Sequence, residues 1–98
     1  MKLTGKQKRF LRAMGSTMEP MVQVGKFGIK DSLITQTDEV IEIHELIKIK
    51  VLNNSTVETK EAAEVLAART NSALVQIIGN TILLYRQSEE KPEIELPN

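Results

Sequence analysis

The sequence predicts a single α/β domain, its elements in the order α-β-α-β-α-β-β around a mixed four-stranded sheet. Three observations support this. Segments with apolar residues at helical spacing alternate with short apolar runs of strand length. Gly, Pro and paired Asn residues separate the two kinds of segment. The last two runs, Ala73–Ile78 and Thr81–Tyr85, are joined by Gly79-Asn80 alone, a two-residue hairpin connection. Helices alternating with strands pack as a two- or three-layer sandwich, with right-handed β-α-β crossovers.

Thr4 to Met14 reads as the first helix. Leu3, Phe10, Leu11 and Met14 fall on one side of it, and Lys2, Lys6, Lys8, Arg9 and Arg12 spread over the other. Gly15, Ser16 and Pro20 end it. Met21–Val24 is a short strand stopped by Gly25. A second helix begins after Gly28, with Ile29, Leu33, Val40 and Ile43 on one apolar face and Ile34 and Ile41 on a second stripe. Asp31 and Ser32 stand where a cap or a first-turn acid belongs. Leu46–Val51 alternates apolar and basic residues, a half-buried strand with Lys48 and Lys50 on its polar side. After Asn53-Asn54, Ser55 and Glu58 have capping-box spacing for a third helix reaching about Thr70. Its inner face is Ala62, Ala63, Val65 and Leu66. Residues 1–87 read as the domain and residues 88–98 as an acidic tail, with Ile94 and Leu96 placed to dock back.

Composition removes several classes of function. With no cysteine there is no disulfide framework and no thiolate metal site, and a single histidine, His44, rules out a multi-histidine site. No metal or other cofactor is called for. No apolar run is long enough to span a bilayer, and Met1-Lys2-Leu3-Thr4-Gly5-Lys6 has no apolar run behind it, so it is not a signal peptide. The reading is a cytoplasmic protein without membrane attachment. Aromatics are 3% of the chain, so the core is aliphatic. The net charge of zero conceals a partition. Residues 1–30 carry Lys2, Lys6, Lys8, Arg9, Arg12, Lys26 and Lys30 against Glu19 alone, while the remainder carries six cations and twelve acids. Such asymmetry suits a polyanionic partner for the basic part, and it also suits a solvated helix face.

Gly25-Lys26-Phe27-Gly28, between a strand and a helix, is the strongest local feature. Glycines admit a ligand close to the backbone, and a following helix offers free N–H groups and a positive dipole end to a phosphate. Lys26 and Lys30 add charge there, and Phe27 is placed to stack on a base or sugar. Two glycines three apart are also an ordinary turn. The loop lacks the spacing and Gly-Lys-Ser/Thr ending of a P-loop and the third glycine of a dinucleotide fingerprint. His44 reads as a helix C-terminal cation or a packed imidazole. Tyr85 reads as a strand-end tyrosine with its hydroxyl at the surface, or as a stacking ring. Glu58, Glu61 and Glu64 complement a helix dipole. No nucleophile–base constellation is present, so the chain reads as a non-enzyme with no small-molecule substrate.

Three blocks in this order carry a family resemblance: Val24-Gly25-Lys26-Phe27-Gly28-Ile29, His44-Glu45-Leu46-Ile47-Lys48-Ile49-Lys50, and Val75 through Arg86. The opening Leu3-Thr4-Gly5-Lys6-Gln7-Lys8-Arg9 fits as well. The chain resembles the CRM domain (chloroplast RNA splicing and ribosome maturation) in its stand-alone bacterial YhbY-like form. The resemblance implies a fold related to the C-terminal domain of translation initiation factor three. It also implies RNA binding by the loop at Gly25–Gly28 with a neighbouring basic surface, and association with large-subunit precursor ribosomal RNA during assembly. A monomer is expected. Two other readings compete: an adaptor whose basic helix docks on an acidic protein, and a small phosphoryl-ligand binder using the loop alone. RNA backbone binding carries a steep salt dependence that an apolar adaptor interface lacks.

Overall fold

The computed structural model of the protein describes residues 2–98. The first helix, α1 (Gly5–Gly15), is opened by a reciprocal capping box at Thr4 and Gln7. The Gln7 N–H donates to the Thr4 hydroxyl at 3.1 Å, and the Thr4 N–H donates to the Gln7 side chain at 3.0 Å. Then follow β1 (Val22–Val24), α2 (Asp31–His44), β2 (Leu46–Val51), α3 (Thr59–Arg69), β3 (Ala73–Ile78) and β4 (Thr81–Tyr85). The strands lie in the order β1-β2-β4-β3, with β1 parallel to β2 and the other pairs antiparallel, giving the mixed sheet expected.

Alternation along the strands builds two cores. Val22, Val24, Ile47, Ile49, Ile82 and Leu84 face α2 and α3, meeting Ile41, Ala62, Ala63 and Leu66. The opposite pleat places Leu46, Leu83 and Tyr85 against Leu11 of α1, with Leu3, Met18, Ile94 and Leu96 around them. The domain is thus three layers: two helices, the sheet, and α1 with the C-terminal segment. Leu11 is fully buried and anchors α1. A buried leucine contributes about 1.5–3 kcal/mol, so α1 depends heavily on this one side chain. Gly15 allows the last turn of α1 to lie on the sheet: a Cβ there would sit 2.7 Å from Leu83 Cδ2.

Several details depart from the sequence expectation. The helix predicted to begin after Gly28 starts at Asp31, with Lys30 at its N-cap and no side-chain cap bond. Ile43, expected inside, is 72% exposed, and Thr37 is buried instead. Ile41 faces the core, and two residues further on is about 200° around the helix. Ser55 does not cap α3. It closes a turn on Val57, whose N–H donates to it at 3.1 Å, and Glu58 becomes the N-cap residue. Phe10 and Met14 are partly exposed, leaving Leu11 and Gly15 as the buried residues of α1. Tyr85 is 2% exposed, so its ring is packed inside and offers no stacking face.

The C-terminal segment is held by two carboxylates at the end of α2. Glu45 has a positive φ of 65°, which turns the chain out of the helix and its own side chain inward. Its carboxylate accepts from the backbone N–H groups of Ser88, Glu93 and Ile94 at 2.7–2.9 Å. Burial pushes the Glu45 carboxyl up, but the three N–H donors outweigh it and hold the group below the usual range. Glu42 accepts from the Ser88 hydroxyl and the Glu89 and Glu90 N–H groups, and is lowered by them in that order of importance. Pro97 is fixed from the other side, its carbonyl accepting from the Gln7 side chain at 3.1 Å.

Candidate nucleic-acid interface

The loop is a tight turn. The Gly28 N–H donates to the Gly25 carbonyl at 3.0 Å, which puts Lys26 and Phe27 at its corners. Phe27 is 68% exposed, an unusual place for one of two phenylalanines in a domain with so few aromatics. The Lys26 and Lys30 ammonium groups lie 5.2 and 4.9 Å from its ring centroid, within cation–π range. Aromatic surface and positive charge are therefore gathered at one projecting tip.

The two glycines have different reasons. Gly28 has φ +68°, and a Cβ there would lie 2.9 Å from the Thr56 hydroxyl, so the turn itself demands glycine. At Gly25 a Cβ would meet only Leu52 and Asn54 at 3.7 and 3.8 Å, ordinary contact. The protein's own packing gives no reason for glycine at position 25. Beside the loop lies a shallow hollow of about 410 Å³ bordered by Gln23, Phe27, Lys30, Ser32 and Gln36. The start of α2 contributes less positive potential than the sequence suggests. It lies three residues beyond Gly28, and its first residue is the exposed Asp31, 3.8 Å from Arg69.

On α1 and its approach, Lys2, Lys6 and Arg9 are exposed, while Lys8 and Arg12 are half-buried, Arg12 beside the sheet. Among the described residues the ion pairs belong to Arg69 and Arg86 alone. All seven cations of residues 1–30 therefore lack a carboxylate within 4 Å. Arg86 contrasts with them: its guanidinium bonds Asp38 and the Thr70 carbonyl at 2.6 and 2.7 Å and reaches Glu42 at 3.4 Å, tying β4 to α2 and α3. His44 is exposed at the last position of α2. Among the described residues no three His, Cys, Asp or Glu side chains are grouped to hold a metal, and no helix is long and apolar enough to cross a membrane.

Sequence reasoning gives no role to Glu42, Glu45 or the Gln7 side chain, and it reads Gly15 only as a helix stop and not as the point of close approach to Leu83. Gln7 was legible in principle, since Thr4-x-x-Gln7 is a capping box. The two glutamates were not, because their partners lie 43 to 49 residues away in sequence.

A layered α/β domain that projects an aromatic, cationic two-glycine turn and a helix of unpaired cations is of the kind built to meet a polyanion. The profile of the CRS1/YhbY (CRM) domain matches residues 3–86, and the chain belongs to that family. It is 50% identical over 95 residues to a Bacillus subtilis protein named "Probable RNA-binding protein YqeI", covering 97% of this chain and 99% of the relative. A Haemophilus influenzae protein named "RNA-binding protein" is 36% identical over 96 residues, covering 97% and 95% respectively. The solution structure of a hypothetical protein from Staphylococcus aureus, 50% identical, superposes with a TM-score of 0.81, covering 98% of this chain and all of the other.

Proposed function

We propose that the protein binds RNA by its sugar-phosphate backbone, through the Gly25–Gly28 turn with Lys26, Phe27 and Lys30 and through Lys2, Lys6, Lys8, Arg9 and Arg12. The observation that carries this reading is the freedom of those seven cations from any carboxylate, where Arg86, Glu42 and Glu45 are tied into the fold by their hydrogen bonds. An unpaired cation gains a partner, and releases counterions, only when a polyanion arrives. The names of the relatives point the same way. The RNA we assign is ribosomal RNA in precursors of the large subunit, bound by a cytoplasmic monomer acting in assembly; this follows the family resemblance. Such contacts position the RNA and carry little sequence information.

The test is the double variant Arg9→Gln with Arg12→Gln. RNA affinity should fall about tenfold, about 1.4 kcal/mol, and the log–log salt slope should flatten by about 1.4, since each phosphate contact to a single strand contributes about 0.7. The melting temperature should barely move, because neither side chain has a bonding partner in the protein. Parental affinity in a folded double variant removes α1 from the interface.

A further inference from the structure

We infer that the part of the sheet left uncovered by α1 is a nucleotide-binding groove that carries single-stranded RNA from α1 to the glycine turn. This rests on the RNA-binding reading above. Helix α1 covers the Leu46 end of β2, where Leu11 meets Leu46 and Leu83, and stops at Gly15. Beyond it the sheet face is bare. A groove of about 370 Å³ opens there, lined by Arg12, Lys48, Gln76, Ile78, Thr81 and Leu83. That volume lies at the low end of ligand cavities, about 300–1,000 Å³. Its floor is apolar at Leu83 and Ile78, its walls are cationic and amide-bearing, and no carboxylate lines it.

Position makes it a path. The strand register aligns Gln23, Lys50, Thr81 and Ile78 in one row across the sheet, and Lys48, Leu83 and Gln76 in the next. Lys48 lies in the groove with Arg12 of α1. Lys50 is one pleat further along β2, paired with Gln23, which borders the hollow beside the turn. Lys48 and Lys50 thus bridge the two cationic regions, and neither has a carboxylate within 4 Å.

A β-bulge shapes the site. The β3–β4 register shifts between Leu74 and Gln76. Without the extra residue, Leu74, Gln76 and Ile78 would share one face. With it, Leu74 packs toward the helices while Gln76 and Ile78 turn into the groove. Among the described residues the Gln76 amide has no hydrogen-bond partner; it lines the groove and presents both a donor and an acceptor, the equipment that reads a base edge. An extended single strand, whose unstacked base edges are open to side chains, is the RNA form this surface takes.

The probe is a fluorescent twelve-nucleotide RNA of mixed sequence, titrated into the parent, Lys48→Gln/Lys50→Gln, Gln76→Ala and Arg9→Gln/Arg12→Gln, with a melting curve for each. The groove reading expects Lys48→Gln/Lys50→Gln to bind about tenfold more weakly with a salt slope shallower by about 1.4. Gln76→Ala should bind about threefold more weakly with the slope unchanged. In parallel, the same RNA carrying 4-thiouridine is photo-crosslinked to the parent, and adducts are expected on peptides containing Lys48–Lys50 or Gln76–Ile78. This second arm decides the matter if a variant fails to fold. A parent that does not bind the RNA overturns the RNA-binding reading itself. A parent that binds, with Arg9→Gln/Arg12→Gln weakened but both groove variants unchanged and adducts confined to α1 and the turn, overturns the groove alone.

Discussion

The two charged regions of this molecule are built on opposite plans. In residues 1–30, seven cations stand without a single carboxylate in reach. At the far end of α2, Glu42 and Glu45 are saturated: between them they accept five backbone N–H groups and a hydroxyl from Ser88 to Ile94, besides a contact from Arg86. Charge of the second kind is architecture, since removing it strands buried donors. Charge of the first kind makes no ion pair within the fold and is available to a ligand. The net charge of zero averages the two and describes neither.

The largest effect should come from breaking the saturated region. Glu45→Ala leaves three tail N–H groups without their acceptor and frees the segment that covers Leu46 and Tyr85. We expect a loss of about 2–4 kcal/mol in denaturant unfolding, with RNA affinity within about twofold of the parent at a temperature where the variant is folded. Unchanged stability would show that the clasp is incidental. The same region should impose an acid limit. Both carboxyls are held below their unfolded value of 4.5, so their contribution is complete above that pH and is lost as pH falls through the lowered values. Unfolding free energy should be level from neutrality to about pH 5 and fall below about pH 4. In Glu45→Gln the fall should be visibly shallower.

The turn sharpens the contrast within four residues. Gly28→Ala should cost about 1–2 kcal/mol, the ordinary penalty of a left-handed backbone for a residue with a Cβ, and its RNA binding will follow its folding. A Gly28→Asp change confounds the two in the same way. Gly25→Ala separates them: stability should change by less than about 0.5 kcal/mol, while RNA affinity falls several-fold because the Cβ occupies the backbone's approach to the phosphate. Equal affinity would make Gly25 a mere turn residue. Smallest of all, Lys26→Ala should cost only about two- to threefold in affinity with no change in melting, since one exposed charge is worth little alone.

How much of this was legible in the sequence depended on how local the cause was. Strands β2, β3 and β4 match the expected residues because their apolar runs and the Gly79-Asn80 connection are contiguous signals. Helix starts shifted by two or three residues, because Gly28 and Ser55 spend their backbone and hydroxyl on turns that precede the helices. Burial of Tyr85, exposure of Ile43 and the reach of Glu45 are set by what lies across the fold, so no spacing in the chain announces them. Of the candidate site, the basic residues and the two glycines were readable. The different reasons for Gly25 and Gly28 were not, since only the positions of Thr56, Leu52 and Asn54 distinguish them.

The central claim is that the unpaired cations exist to meet RNA phosphates. Its most direct test is the affinity of the parent protein for a single-stranded RNA measured from about 50 to 200 mM KCl. If about five of these cations engage phosphates, log affinity should fall against log salt with a slope near −3.5. A slope between zero and −1, in a folded protein with measurable binding, would contradict the account.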